Sequence, residues 1–246
     1  MNAPSRIAPE ACVRSVYEQR YPDAYVVFLA GSVIRGESTR FSDLDLVVVY
    51  ERTHHAYRES FIAHQWPIEV FVHDRETLNY FFATDRASGV PTLASMIADG
   101  IAFPSESDFA RSIKQSAVEV LHAGPPPWSD DQRKLSRYLI TDLIEDLREP
   151  RSPAEFHASV SRLYEMMATH FFRSRGVWSA KGKAVVRRLQ EVDRSTAHAF
   201  SNAFEIAFRT DDTAALISLA MMILDADGGF LFDGYRADAP AEWRTL

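Results

Sequence analysis

Hydrophobic and polar positions divide the chain into a part with short apolar runs and a part with longer helical periods. In the first half, short runs rich in β-branched and aromatic residues are bounded by turn-forming residues, which is typical of buried strands. After residue 127, apolar positions recur every three or four residues, as they do on one face of a helix. The pattern predicts an α+β chain, with a mixed-sheet domain followed by an all-helical bundle.

The first half is predicted to contain a sheet and several helices. We interpret the polar segment 52–64 as a helix as well. The predicted strands are 25–30, 46–50, 67–72 and a short edge strand before Pro104. The other predicted helices are 9–20, 75–86, a short one ending at Ala98, and 105–122.

The strongest break in the chain is Gly124 followed by three prolines, and we place the domain boundary there. This gives a sheet-containing domain over 1–123 and a helical bundle over 128–246. Ser129 begins a capping box at the start of the first bundle helix. Further helices are expected over 129–148, 152–176, 183–193, 195–208 and 212–225.

The stretch 26–49, VVFLAGSVIRGESTRFSDLDLVVV, contains the candidate chemistry. Its first apolar run ends in Gly31-Ser32; ten residues follow, and then Asp43 and Asp45 open the second run. Side chains alternate along a strand, so both aspartates point the same way. Two carboxylates at the mouth of a buried strand are costly without a cation between them, and Mg²⁺ takes carboxylate oxygens while keeping sites for phosphate. We therefore expect a divalent metal at this pair.

A phosphate cradle is predicted beside the metal. A glycine after a strand lets the backbone turn sharply and approach a ligand closely. Residues 32–36 would form a short helical turn whose free N–H groups suit a phosphate, and the Ser32 hydroxyl adds a donor. Taken singly, Gly-Ser is usually a turn and Asp-x-Asp a solvated loop. Together, between two strands, they favour phosphoryl or nucleotidyl transfer.

This spacing resembles the signature of the polymerase-β-like nucleotidyltransferase superfamily. Within this motif, Arg35-Gly36 and Ser42 resemble the corresponding residues of bacterial superfamily members that modify small molecules and of antitoxin-type members. The phrase IEVFVHD resembles a strand of the streptomycin/spectinomycin adenylyltransferases. The family expects a third carboxylate on a neighbouring strand, and Glu69 stands there, with a solvated edge-strand residue as the alternative. The motifs cover 25–74 and do not specify a substrate.

The resemblance implies transfer of a nucleoside monophosphate onto a hydroxyl of a small molecule such as an aminoglycoside. The transferred group would be AMP from ATP, or the corresponding monophosphate from another NTP. Asp43, Asp45 and Glu69 would be catalytic and would bind two Mg²⁺ ions. Glu69 would complete the metal shell or act as the general base. Gly31 and Ser32 would fix the β- and γ-phosphates while pyrophosphate leaves.

Three cationic residues are further candidates for phosphate binding. Arg35 could reach phosphate or form an ion pair within its domain. Lys181 and Lys183, in WSAKGK, stand at a predicted helix start, and either could bind triphosphate oxygens or belong to a solvated basic loop. The helical half again resembles the aminoglycoside adenylyltransferases, in which substrate and ATP lie in the cleft between domains.

Two other functions remain open. A protein-AMPylating enzyme of antitoxin type would use the same chemistry, although such relatives are usually much shorter. A catalytically silent, nucleotide-binding regulatory protein would keep the fold alone, but the presence of all three carboxylates weighs against it. Asp74, just after the third predicted strand, could support the site or cap the next helix, and the cap is favoured.

Composition restricts the classes of binding partner and the cellular compartment that we expect. The net charge of −7 argues against a nucleic-acid partner, since phosphate contacts call for a basic face. Cys12 is the one cysteine, which excludes an internal disulfide. The beginning of the chain lacks the apolar core of a signal peptide, and the apolar stretch 214–224 is too short to span a bilayer. We expect a cytoplasmic protein without a membrane partner. Nothing in the sequence fixes the oligomeric state.

Overall fold

The computed structural model describes residues 6–239, and the chain divides into two compact units between Gly124 and Pro125. That division falls in the Gly-Pro-Pro-Pro segment. A mixed five-stranded sheet occupies the first unit and the second is helical in the described residues, which confirms the predicted α+β class. The functions assigned to the two parts stay predictions.

The sheet of the first unit has the strand order β3-β4-β2-β1-β5. Only β2 and β4 run parallel, and the other neighbouring pairs are antiparallel. The strands are β1 Val26–Ala30, β2 Leu44–Val49, β3 Tyr57–Ala63, β4 Trp66–His73 and β5 Ile101–Phe103. The helices are α1 Pro9–Arg20, α2 Arg75–Ser88, α3 Thr92–Asp99 and α4 Asp108–Ala123.

Helices cover both faces of the sheet, so its central strands are apolar on both sides. On one face, Leu44 and Leu46 of β2 pack in a buried cluster with residues of α1. On the other face, Val47 and Val49 pack in a cluster with residues of α2, α3 and α4. This explains why β2 is a continuous apolar run, and why the half-buried Asp45 stands out within it.

The helix predicted over 52–64 is wrong, because this segment contains β3. Strand β3 forms a hairpin with β4 in which Ala63 pairs with Trp66. The two turn residues, His64 and Gln65, both have positive φ angles, of 48° and 65°. Such turns usually contain Asn or Gly, so the sequence lacked the usual hairpin signal. The strand is mostly exposed, and its polar character resembles a solvated helix.

The other predicted elements of the first unit are confirmed, with bounds that shift by a few residues. The predicted strand before Pro104 is β5, at one edge of the sheet. The first predicted helix has the bounds of α1. These elements were recognisable because each has a clear apolar period and a breaker at its end.

The second unit is a bundle of helices around an apolar core. Large buried side chains such as Phe156, Phe172 and Phe200 fill the interior. The predicted capping box is present, since the Ser129 hydroxyl accepts from the N–H of Gln132 and the Gln132 side chain accepts from the N–H of Ser129. The helices are α5 Asp130–Asp146, α6 Pro153–Ser174, α7 Ala184–Val192, α8 Arg194–Thr210 and α9 Ala214–Leu224, followed by a 3₁₀ turn at Asp225–Asp227.

Cys12 lies on α1 with no exposed surface. Its thiol donates to the carbonyl oxygen of Ala63 at 3.6 Å. Burial raises the pKa of the Cys12 thiol, which disfavours the reactive thiolate.

Across residues 6–239, no helix has both the length and the apolar character that crossing a membrane requires.

Candidate active site

The candidate site lies where β2 and β4 carry acidic residues side by side, next to the end of β1. Asp45 of β2 pairs with Ala30, the last residue of β1, in the antiparallel ladder. On its other side Asp45 is in parallel register with Glu69 of β4. Residues in register on adjacent strands have side chains on the same face, so the two carboxylates are neighbours. Asp43 precedes β2 by one residue and is exposed.

Gly31 lies directly against Asp45. Its φ angle is +84°, in the left-handed region that favours glycine. A Cβ atom built at Gly31 would overlap Oδ2 of Asp45 and would lie 3.1 Å from its Cγ. The site thus needs glycine here twice, for the backbone angle and for the space the carboxylate occupies. This contact links the two sequence motifs.

The loop after Gly31 is a hydrogen-bonded turn. The N–H of Gly36 donates to the carbonyl of Val33 at 3.2 Å, and that of Glu37 to the carbonyl of Ser32 at 3.0 Å. The Ser32 hydroxyl donates to the Ser42 hydroxyl at 3.3 Å. These two bonds and the φ angle of +70° at Gly36 are the pattern that ends a helical turn, so residues 32–36 form a single turn that does not continue as a helix. It joins the Gly-Ser motif to the residues just before Asp43.

Glu69 is held by a cation that the sequence analysis did not identify. Its carboxylate forms an ion pair with Arg58 of β3, and the Glu69 side chain is 24% exposed. The Arg58 guanidinium also lies over the Phe71 ring, 5.0 Å from its centroid. Arg58 was missed because its segment was interpreted as a helix. An alternating reading of 57–63 would have placed it beside β4.

The carboxylates suit a divalent cation as a donor set. Among the described residues no three Asp, Glu, His or Cys side chains are grouped closely enough to form a metal site by themselves. Mg²⁺ is usually held by one or two carboxylates together with substrate phosphates and water. Asp43 and Asp45, beside a turn that can receive phosphate, fit that mode. Glu69, engaged by Arg58, is a neighbour to this pair.

The other predicted phosphate ligands have separate surroundings. Arg35 forms an ion pair with Glu37, its Nε lying 3.0 Å from the carboxylate. Lys181 and Lys183 belong to the second unit, and both are exposed. Between them, the N–H of Gly182 donates to Oε1 of Glu165 at 2.7 Å. The roles of these three cations stay predictions.

Asp74 is the N-cap of α2. Its Oδ1 accepts from the N–H of Thr77 at 2.8 Å, and its Oδ2 accepts from the N–H of Thr53 at 3.0 Å. Burial alone would raise the pKa of Asp74, but these hydrogen bonds outweigh it and lower the pKa. Its cap geometry agrees with the favoured alternative. Next to it, burial lowers the pKa of His73 to about 4, so this imidazole is neutral at neutral pH.

Residues 13–84 match the family model of the nucleotidyltransferase domain. The matched segment contains the Gly31-Ser32 turn, both aspartates and Glu69. This match supports a nucleotidyltransferase, and it specifies neither the nucleotide nor the acceptor.

None of the curated proteins matches the chain. Among solved structures, a nucleotidyltransferase-like protein from Exiguobacterium sibiricum is similar to it, with a TM-score of 0.42 and 13% sequence identity, over 89% of this chain and 74% of that one. A likeness of this size carries no argument about activity.

Proposed function

We propose that this chain transfers AMP from ATP to a hydroxyl of a small molecule and releases pyrophosphate. The observation that carries the proposal is the contact of the Gly31 backbone with the carboxylate of Asp45, which itself stands in register with Glu69. A backbone that can bind phosphate is thereby adjacent to a carboxylate that can bind metal. Aminoglycosides are the first acceptor class to test, because the β4 sequence resembles a strand of the streptomycin/spectinomycin adenylyltransferases.

Asp43 and Asp45 would hold two Mg²⁺ ions. When bound, such ions neutralise the charge of the triphosphate and lower the pKa of the acceptor hydroxyl. The half-buried position of Asp45 under Gly31 favours this role, because its carboxylate is fixed before the nucleotide arrives. Asp43, exposed one residue before β2, can adjust its side chain to the incoming phosphate.

Gly31 and Ser32 would bind the β- and γ-phosphates. The Ser32 hydroxyl donates to Ser42 in the structure and can instead donate to a phosphate oxygen after a rotation about one bond. Arg35 would supply positive charge to the leaving pyrophosphate. These contacts would hold the α-phosphorus in line with the acceptor oxygen.

Glu69 would accept the proton of the acceptor hydroxyl as that oxygen attacks the α-phosphorus. The new bond joins the acceptor oxygen to phosphorus. The bond that breaks joins this phosphorus to the oxygen bridging the α- and β-phosphates, and its electrons leave with pyrophosphate. Arg58 would orient the Glu69 carboxylate through their ion pair.

The test is pyrophosphate release with Mg²⁺, each of the four NTPs, and a panel of aminoglycosides. Asp45→Asn removes the central carboxylate charge with little change in shape. Asp99→Asn is the matched control, since Asp99 is an exposed aspartate at the end of α3. We expect release that depends on ATP and on one acceptor, that is lost in Asp45→Asn, and that persists in Asp99→Asn.

Other outcomes separate the alternatives. Tight ATP binding without release across the panel would replace the aminoglycoside by another acceptor, including a protein hydroxyl. Failure to bind any of the four NTPs would reject nucleotidyl transfer altogether. Equal release in Asp45→Asn and in the unmodified chain would reject the assigned site.

A further inference from the structure

A pocket of about 380 Å³ lies in the second unit, between α5 and α6. This volume is within the range of sites for small organic molecules. One part of its wall is apolar and consists of Trp128, Leu135, Leu139 and Met166. A ligand here would place an apolar or aromatic body against these side chains.

The polar side of the pocket includes Glu165, Thr169 and Ser136. Oε1 of Glu165 accepts from the N–H of Gly182 at 2.7 Å, which holds the carboxylate in place. A carboxylate accepts about four hydrogen bonds, so Glu165 keeps acceptor capacity for a ligand. The hydroxyl oxygens of Thr169 and Ser179 are 3.4 Å apart.

The hydrogen-bonding role of Ser136 is set by a network behind it. His170 has no exposed surface, and its Nε2 lies 2.9 Å from Oδ2 of Asp227. Its Nδ1 lies 3.0 Å from the hydroxyl oxygen of Ser136. Burial lowers the pKa of His170 despite the nearby Asp227, so the imidazole is neutral at neutral pH and carries one proton.

The Asp227 carboxylate decides where that proton is. It forms an ion pair with Arg133, whose Nη1 lies 3.0 Å from Oδ1, and an ionised carboxylate only accepts hydrogen bonds. Nε2 of His170 must therefore carry the proton and donate it to Asp227. Nδ1 is then an acceptor, and the Ser136 hydroxyl must donate to it. The single hydroxyl hydrogen is thus used, and Ser136 can only accept from a ligand.

The same three side chains could be compared with the Ser-His-Asp triad of hydrolases. Acyl transfer also needs N–H donors for the developing oxyanion. Ser136 lies inside α5, where backbone N–H groups donate along the helix. The network therefore suits recognition of a ligand better than nucleophilic attack.

We propose that the pocket between α5 and α6 binds a small organic cation, an ammonium group carried on an apolar or aromatic body. Ser136 and Glu165 both accept hydrogen bonds, and an ammonium group offers only donors. Glu165 adds an opposite charge, and the Trp128 ring can stack on the body or face the cation. Every residue of the site belongs to the second unit, so the proposal is independent of nucleotidyl transfer.

The probe is 2-phenylethylamine, compared with 2-phenylethanol and phenylacetate, which share its body but differ in charge. Binding to the full chain is followed by the indole N–H signal of Trp128 in NMR titrations, assigned with Trp128→Phe. We expect the amine to bind about tenfold more tightly than the alcohol, and phenylacetate to bind least. Equal affinities for the three probes, or no shift of the Trp128 signal, would overturn the proposal.

Two variants test the recognition groups. Ser136→Ala should weaken amine binding about threefold to tenfold, as loss of one hydrogen bond does. Glu165→Gln should weaken amine binding by a similar factor and leave alcohol binding unchanged. Glu205→Gln is the matched control, because Glu205 is exposed on α8 and pairs with Arg209. It should change neither affinity.

Asp227→Asn tests the assigned proton positions. The amide oxygen would accept from Arg133, and its NH₂ group would then donate to Nε2 of His170. The imidazole proton would move to Nδ1 and donate to Ser136, whose hydroxyl would become free to donate into the pocket. We expect weaker binding of the amine and tighter binding of phenylacetate. Unchanged preferences in a folded Asp227→Asn, or in Ser136→Ala if Asp227→Asn does not fold, would refute the mechanism.

Discussion

Arg58 forms an ion pair with Glu69 across the β3–β4 hairpin, between diagonal positions of the ladder in which Arg58 pairs directly with Phe71. The carboxylate in register with Asp45 is therefore held from the side by a cation of the edge strand. Under the proposed function we expect this ion pair to weaken the binding of a divalent cation, because the positive charge of Arg58 offsets the negative charge of Glu69 beside Asp45.

Replacing Arg58 by glutamine should strengthen Mn²⁺ binding, up to about fivefold, which is the range of exposed ion pairs. Arg111→Gln is the matched control. Arg111 pairs with Asp108 on α4, and the two arginine side chains are 58% and 60% exposed. Isothermal titration with Mn²⁺ measures the difference. Equal affinities in both variants would show that Arg58 does not compete with the metal.

Replacing Gly31 by alanine should impair both stability and activity. Alanine at a φ of +84° costs about 1–2 kcal/mol in free energy of unfolding, and its Cβ would also displace the Asp45 carboxylate. We expect activity to fall on the order of 10²-fold, as it does when a reacting group is misplaced. Urea titrations and pyrophosphate release measure the two effects.

Gly176→Ala is the control for the backbone angle. Gly176 has a φ of +69° and no atom within 4 Å of a built Cβ. It should lose about 1–2 kcal/mol of stability, like any alanine at such an angle, but keep its activity. If Gly31→Ala behaved in the same way, the contact with Asp45 would have no role in the chemistry.

His73 should make the first unit less stable in mild acid. Its pKa is lowered from 6.5 to about 4 by burial, so between these values the unfolded chain binds a proton that the folded chain does not. Stability is therefore full above pH 6.5 and falls as the pH decreases towards 4, by about 2 kcal/mol at pH 5.

His73→Asn should reduce this dependence, whereas replacement of the exposed His122 by asparagine should not. Urea titrations at pH 7 and pH 5, with hydrogen exchange of peptides from β4, would measure the change locally. The assignment fails if both variants keep the pH dependence of the unmodified chain.

Asp74 should matter for the stability of α2 and little for catalysis. Asp74→Ala removes the cap and leaves the N–H groups of Thr77 and Thr53 without their acceptor, at a cost of about 1–2 kcal/mol. Asp74→Ser keeps a capping oxygen and should recover most of the loss. Activity per folded molecule should stay within about twofold in both. A large loss of activity in Asp74→Ser would indicate that Asp74 supports the candidate active site.

The fold was predictable where one property dominated each segment. Strands β1, β2 and β4 are buried, so their apolar runs were sufficient. Strand β3 is an exposed edge whose turn uses His64 and Gln65, and neither its burial nor its turn residues distinguish it from a polar helix. Edge strands are determined by their pairing partner, which local sequence does not contain.

The candidate site was predictable for a related reason. Gly31 and Asp45 lie in one short stretch with a characteristic spacing, so the motif itself brought them together. The network of Ser136, His170 and Asp227 joins residues 34 and 57 positions apart, and no local pattern announces it. Arg58 was hidden by the misassigned strand.

The buried position of Cys12 makes the chain its own reporter of opening. The only thiol in the sequence lies under the sheet and against Ala63, so a reagent can reach it only after α1 leaves that surface. The rate of alkylation in native buffer thus measures how often this unit opens. An engineered cysteine at an exposed position would react first, and the slower alkylation of Cys12 would then report the opening rate within the same molecule.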